Sequence, residues 1–316
     1  MKRYDIITFG SASEDVFVFS KKFFDKNLCF PVGDKIEMDK IISRSGGGGV
    51  NTATTFAMQG FKVAYCGNIG KDYAGFSILS DLQKNKISEQ FLKFSDSRTT
   101  NHSVILSKKK KGKAILVYRD ASNYLPKGFN LRKMRAGWFY LAPLGGEFAK
   151  TTKKIIDFAN KKKIKIAFNP SKEQIKKFKK DIKNWLPKID VLLPNEREAK
   201  MLFGDYKKAE DLFRKIKPYL NGIIVTGDNK KSIAFDGKNI YRAEGLKVTI
   251  ADKTGSGDAF DSGFISSLIK TNNIKKSLQF ATANAAACVQ DFGAKEGLLK
   301  KRQKYKKVKV TISKLT

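Results

Sequence analysis

Cysteine and histidine are scarce in this 316-residue chain, with three of the first and one of the second. Cys29, Cys66 and Cys288 are odd in number and far apart, so neither a disulfide framework nor a zinc site is readable, and reduced thiols are expected. With His102 as the only histidine, a serine-histidine relay has little to stand on. No apolar run reaches the roughly 18 residues of a spanning helix, and Met1-Lys2-Arg3-Tyr4-Asp5 opens no signal-peptide core of about 7–15 residues. A cytoplasmic location with no membrane partner is expected. Two common phosphate-binding loops are also missing. No segment reads Gly-x-x-x-x-Gly-Lys-Ser/Thr, and the glycines from 67 to 75 are misplaced for that loop and for G-x-G-x-x-G.

Acidic residues are few beside basic ones: 30 Asp and Glu against 63 Lys and Arg, a formal charge of +33. Such a surplus raises non-specific nucleic-acid binding as one reading. The other is a solvated surface, because the basic residues are mostly lysines in scattered runs (108–111, 161–163, 176–180, 300–302) within a composition rich in Ile, Asn and Phe. On either reading the charge draws an anionic nucleotide toward the protein.

The periodicity is that of an α/β chain. Residues 5–9 read as a first strand, and 137–142, 164–168, 191–193 and 222–226 as buried strands separated by helical stretches. Such alternation predicts a parallel sheet wrapped by helices, with ligands at the carboxyl ends of the strands, where Asn169, Asn195, Glu198, Thr226 and Gly227 fall. Residues 15–20, 35–42, 102–106 and 114–118 form a different set of short alternating strands, the last two joined through 108–112 as a hairpin. They come from two separate stretches, which suggests a small sheet standing off the main body. Without an internal repeat or a low-complexity linker, no second independent domain is expected.

The densest chemistry lies in Asp252-Lys253-Thr254-Gly255-Ser256-Gly257-Asp258-Ala259-Phe260. Residues 247–250 alternate like a strand end, and Phe260, Phe264 and Leu268 recur as one face of a helix. A small-residue turn opening a helix offers free backbone amides and the positive end of the dipole, an anion-binding arrangement. Asp258 stands where a carboxylate takes a proton from a hydroxyl attacking phosphate; taken alone it reads equally well as a helix cap. Upstream, glycines 46–49 precede Val50 and Asn51 at another helix start, where the missing Cβ atoms allow close backbone approach or simply a hinge.

Together, in this order, the two segments resemble the paired signatures of the ribokinase-like (PfkB-type) carbohydrate kinases, over nearly the whole chain. The resemblance implies a three-layer αβα core with a mostly parallel sheet (1–14, 44–98, 122–316) and a discontinuous β lid (15–43, 99–121). It implies phosphoryl transfer from ATP to a sugar hydroxymethyl group, with a nucleoside as the nearest alternative acceptor; the basic surplus keeps a non-catalytic nucleic-acid-binding protein on the same fold as the alternative from another class. Asp258 is then the base, and the amides of Gly255, Ser256 and Gly257 the anion hole. Asp15, Gly47, Gly48 and Asn51 match substrate positions. Asn195 and Glu198 match an Asn-x-x-Glu element that holds Mg2+ through water, though a polar helix turn looks the same. Thr226, Gly227, Thr282 and Asn284 lie where the nucleotide is expected. Asp252, Thr254, Cys288, Asp291 and Gly293 match the surroundings of a potassium-like ion. Arg119, at the end of a lid strand, is either a substrate contact or a surface charge. The exposed lid edges leave two alternatives open, a homodimer paired through them and a single copy. Three positions depart from the pattern: Lys253 replaces the usual Thr, Gly48 stands where ribokinases carry Lys, and the loop from Thr226 has one glycine where two are usual.

Overall fold

A computed structural model describes residues 3–21, 32–108, 112–227 and 231–315. Cys29, the hairpin connection 109–111, the middle of the nucleotide loop at 228–230 and the start of the chain at 1–2 lie outside these residues. The elements run β1 (Tyr4–Phe9), β2 (Ser13–Phe19), β3 (Lys40–Gly46), α1 (Gly48–Met58), β4 (Val63–Gly70), α2 (Tyr73–Lys84), β5 (Ser88–Ser95), β6 (Asn101–Lys108), β7 (Gly112–Tyr118) and β8 (Ala136–Leu141). There follow α3 (Gly146–Lys150), α4 (Thr152–Lys161), β9 (Lys165–Phe168), α5 (Lys172–Trp185), β10 (Val191–Leu192), α6 (Glu196–Phe203), α7 (Ala209–Ile216) and β11 (Ile223–Gly227). The chain closes with β12 (Lys231–Phe235), β13 (Asn239–Glu244), α8 (Ser256–Thr271), α9 (Ile274–Cys288) and β14 (Val310–Lys314).

The apolar runs become strands buried on both faces, as parallel sheets require. Ten strands form one sheet in the order β14-β13-β12-β11-β10-β9-β8-β1-β4-β5. From β11 to β5 every pairing is parallel, while β12, β13 and β14 add an antiparallel edge. Alternate residues feed two cores. Ile7, Phe139 and Phe168 pack with Ile155, Ile175 and Phe213 from α4, α5 and α7 on one face. Ile6, Tyr65 and Tyr140 pack with Phe56, Ile78, Phe264 and Leu278 from α1, α2, α8 and α9 on the other. The result is three layers, α/β/α.

A second sheet has the order β3-β2-β6-β7, with β2 and β6 parallel at its centre and an antiparallel hairpin partner on either side. The two stretches expected to share a small sheet do so. Two strand boundaries differ from the periodicity. The segment at 35–42 pairs only from Lys40, because β2 ends at Phe19, which sits opposite Lys40, and the ladder instead continues to Gly46. Residues 247–250 join no sheet among the described residues; the position beside β13 belongs to β14, so the strand preceding the Gly-Ser-Gly turn ends at Glu244. No helix among the described residues is long and apolar enough to cross a membrane.

Candidate active site

The glycine run is where the two sheets meet. β3 ends at Gly46, Gly47 takes a left-handed φ of 92°, and α1 begins at Gly48. The N–H of Gly49 donates to Ser11 O at 3.0 Å, and a methyl group on Gly10 would sit 2.7 Å from Gly49 N. Backbone therefore touches backbone between the end of β1 and the start of α1, which only glycine permits. This contact aims the first turn of α1 at α8. Asn51 Nδ2 donates to Asp258 Oδ2 at 2.8 Å, and a methyl on Gly48 would lie 3.5 Å from Asp258 Oδ1. Asn51 Oδ1 is buried and has no hydrogen-bond partner among the described residues. Asp15 is also buried, with Ser13 Oγ donating to its Oδ1 at 3.0 Å, and its carboxylate lies against Gly46, where a methyl would come within 2.1 Å of Oδ2.

Gly255 caps α8 in the left-handed conformation (φ 74°), and the first helical bond runs from Ala259 N to Gly255 O at 2.8 Å. The N–H of Ser256 turns back to Lys253 O at 3.3 Å. Gly257 and Asp258 precede the first helical bond, so their amides have no acceptor inside the helix. A methyl on Gly257 would meet nothing within 4 Å, so the space before the helix start is open. Of the expected anion hole, Gly257 faces that space, Ser256 is engaged in its own turn, and Gly255 provides the bend.

Gly257 and Ser256 also line a cavity of about 750 Å³. Asn195, Glu198, Thr226, Gly227, Ser232 and Thr282 share its wall. Asn195 and Glu198 form a reciprocal cap on α6: Glu198 N donates to Asn195 Oδ1 at 3.0 Å and Asn195 N to Glu198 Oε2 at 2.9 Å. The helix-turn reading of this pair is thus realised in the same place as the cavity-wall reading, and burial raises the Glu198 carboxyl above its ordinary range. The hydroxyls of Ser232 and Thr282 are buried without partners among the described residues. Among the described residues no three His, Cys, Asp or Glu side chains are spaced to hold a metal directly.

Several expected positions lie elsewhere. Asn284 is fully buried, donating from Nδ2 to Ala259 O at 2.8 Å and accepting Leu299 N at 2.9 Å, so it braces α9 against α8 and does not reach the cavity. Arg119 is exposed and makes no hydrogen bond or ion pair with the described residues. Asp291 is exposed and accepts from Phe292 N at 2.7 Å. Asp252 and Thr254 do reach the end of α9: Ala251 N donates to Val289 O at 2.8 Å, and Cys288 Sγ lies 3.9 Å from Thr254 O. Gly293, at φ 121°, lies against Arg44 and Glu296, which pair at 3.0 Å, and precedes Ala294, which packs against Gly255.

Three features went unread in the sequence. Lys295 makes an ion pair with Asp81 of α2 and a hydrogen bond to Ser45 of β3, tying the small sheet and α2 to the loop after α9. Lys113, on β7 of the small sheet, pairs with Asp252. Both are single lysines among many, with no pattern to distinguish them. The third, Asp261, had a signal: it follows Asp258 by three residues and so shares its helix face. Its Oδ2 accepts from Asn169 Nδ2 at 2.6 Å, and it lines the cavity beside Glu198. Burial, then the Asp258 and Glu198 carboxylates, pushes the Asp261 carboxyl well above its ordinary value. Folding therefore disfavours its charged form, and the stability this group contributes is present at low pH and lost as pH rises from the ordinary carboxyl range through the raised value. Asp261→Asn removes that loss. The expected result is a higher Tm than the parent's, with a gap small near pH 4 and wider near pH 8; a gap independent of pH would contradict it.

The chain matches the model of the pfkB family carbohydrate kinases over residues 4–301. It is 27% identical over 309 residues to an ATP-dependent 6-phosphofructokinase of Thermoanaerobacterium thermosaccharolyticum, covering 93% of this chain and 90% of that protein. It is 28% identical over 257 residues to a ribokinase of Lactococcus lactis, covering 81% and 82%. Among solved structures, Arabidopsis thaliana ribokinase complexed with ribose and ATP superposes with a TM-score of 0.75 at 20% identity, covering 95% of this chain and 96% of that one. The chain thus has the ribokinase fold, and it belongs to the PfkB family of carbohydrate kinases, phosphotransferases that act on sugar hydroxyl groups.

Proposed function

We propose that the protein transfers the γ-phosphoryl group of ATP to a hydroxymethyl group of a sugar, with Asp258 as the base. One observation carries this reading. Asp258 is held by Asn51 of the glycine run and directly follows Ser256 and Gly257, which line the 750 Å³ cavity at the start of the same helix. The cavity suits a nucleotide, since the unpartnered hydroxyls of Ser232 and Thr282 await hydrogen bonds and the amides of Gly257 and Asp258 await an anion. Glu198 and Asp261 offer oxygen to a hydrated Mg2+, which supplies charge neutralisation for the phosphates when bound. On the other side, Asp15 and the free Oδ1 of Asn51 accept from sugar hydroxyls, and the bare backbone at Gly47 and Gly48 lets the ring come close.

In the reaction Asp258 accepts the proton of the attacking hydroxyl. Asn51 holds its carboxylate in place, and the amides at the start of α8 stabilise charge on the moving phosphoryl group. Burial raises the Asp258 carboxyl, bringing it closer to the pH at which a base must work. The reduced thiols Cys66 and Cys288 suit a cytoplasmic setting. A homodimer through the lid would cover Ile115, Leu116 and Val117, which β7 leaves exposed.

The test is a nucleotide-consumption screen with magnesium over free sugars, sugar phosphates and nucleosides. ADP formation that depends on one sugar class, with a new phosphate ester on its primary carbon, is the expected outcome. ADP formation with nucleosides alone moves the assignment to the neighbouring acceptor class, and none with any acceptor removes it.

A further inference from the structure

The resemblance gives Asp252 and Thr254 to a monovalent cation, yet in this protein a cation of the chain already meets both. Lys113 Nζ lies 2.6 Å from Asp252 Oδ1 and 2.9 Å from Thr254 Oγ1. Lys113 belongs to β7, the outer strand of the lid, whereas Asp252 and Thr254 belong to the turn that becomes the start of α8. Asp252 is 6% exposed, its Oδ2 is buried without a partner, and among the described residues no other Lys, Arg or His pairs with it. A surface ion pair contributes little, but a shielded carboxylate left without a counter-charge is costly. Lys113 is therefore the group that makes Asp252 tolerable where it stands.

We infer that Lys113 is the resident cation of the anion-hole turn, delivered by the lid in place of an external monovalent ion, and that it latches β7 onto the loop carrying Asp258. An ammonium group and a potassium ion have the same charge and similar size, and Asp252 and Thr254 present only oxygen to either. Lid closure then completes the electrostatics of the turn, and lid opening uncovers Asp252. Lys113 is a positioning residue: it acts on the reaction through the turn that presents the Gly257 and Asp258 amides.

The inference deepens the kinase reading at the same loop, but its main test needs no substrate. Thermal unfolding of the full chain and of Lys113→Met is compared in potassium chloride and in choline chloride at equal ionic strength. The parent is expected to melt at the same temperature in both salts. Lys113→Met is expected to lose roughly 2–4 °C in choline and to recover it in potassium or ammonium chloride, while Lys113→Arg behaves as the parent. Potassium stabilising the parent over choline as much as it does the variant would overturn the inference, as would a variant indistinguishable from the parent in choline. Should Lys113→Met fail to fold in choline, folding in potassium supports the inference; should it fail in both, Lys113→Gln and the parent's own salt comparison decide. With acceptor and ATP, potassium is expected to raise the variant's turnover roughly tenfold over choline while leaving the parent's unchanged. A thermal response without phosphotransfer in any protein supports the latch while failing the kinase reading, so the two are separable.

Discussion

Asp258→Asn is expected to lose turnover by roughly 10²–10⁴-fold, the contribution of a positioned general base, with folding and nucleotide binding retained. The substitution keeps the shape of the side chain and removes a carboxylate that burial already disfavours, so stability at neutral pH should not fall. In the parent, kcat/KM should decline on the acid side as Asp258 takes up its proton, at a pH above the ordinary carboxyl range because burial lifts the group. Asn51 opposes that lift through its 2.8 Å hydrogen bond, so Asn51→Ala should move the acid limb to still higher pH. Near-parental turnover in Asp258→Asn, measured with the acceptor found by screening, would take Asp258 out of the chemistry.

Gly255→Ala is expected to be the most destabilising single-methyl change at the site. The left-handed φ of 74° costs an L-residue about 1–2 kcal/mol. The added methyl would lie 2.3 Å from Ala294 Cβ and 2.5 Å from Ala294 Cα, an overpacking cost of about 1–3 kcal/mol. A loss of roughly 2–5 kcal/mol in denaturant unfolding follows, with turnover falling because the turn that presents the amides must shift. Gly257→Ala is the contrast, since its methyl enters open space in the first helical turn and alanine favours helix. Equal stability for the two variants would show that the conformation of Gly255 is not what shapes the turn.

Much of this architecture could be read from residues because the relevant physics is local. Runs such as Gly222-Ile223-Ile224-Val225-Thr226 are apolar throughout since a parallel strand is covered on both faces, and the small-residue turns at 46–49 and 254–257 announce close backbone approach. Edges were harder. Residues 247–250 and Val310–Lys314 both alternate, yet only the second finds a neighbour, and pairing is a property of distant chain. At the site, Asp258 and Asn51 were legible through their turns. Asp261 was available by helical spacing, whereas Lys113 and Lys295 gain their meaning only from the partners that folding brings to them. Asn284 failed as a cavity residue for a similar reason: its carboxamide is consumed by backbone groups of Ala259 and Leu299.

The parallel pairing of β2 with β6 has a consequence for biosynthesis. Translation delivers β2 and β3 early, but β6, the central partner of β2, emerges only after α1, β4, α2 and β5, some 80 residues after β2, or about 4–16 s at 5–20 residues per second. Throughout that interval the nascent chain carries an unpaired strand edge, which exposes it to chaperones and to neighbouring ribosomes' products before the second sheet is complete.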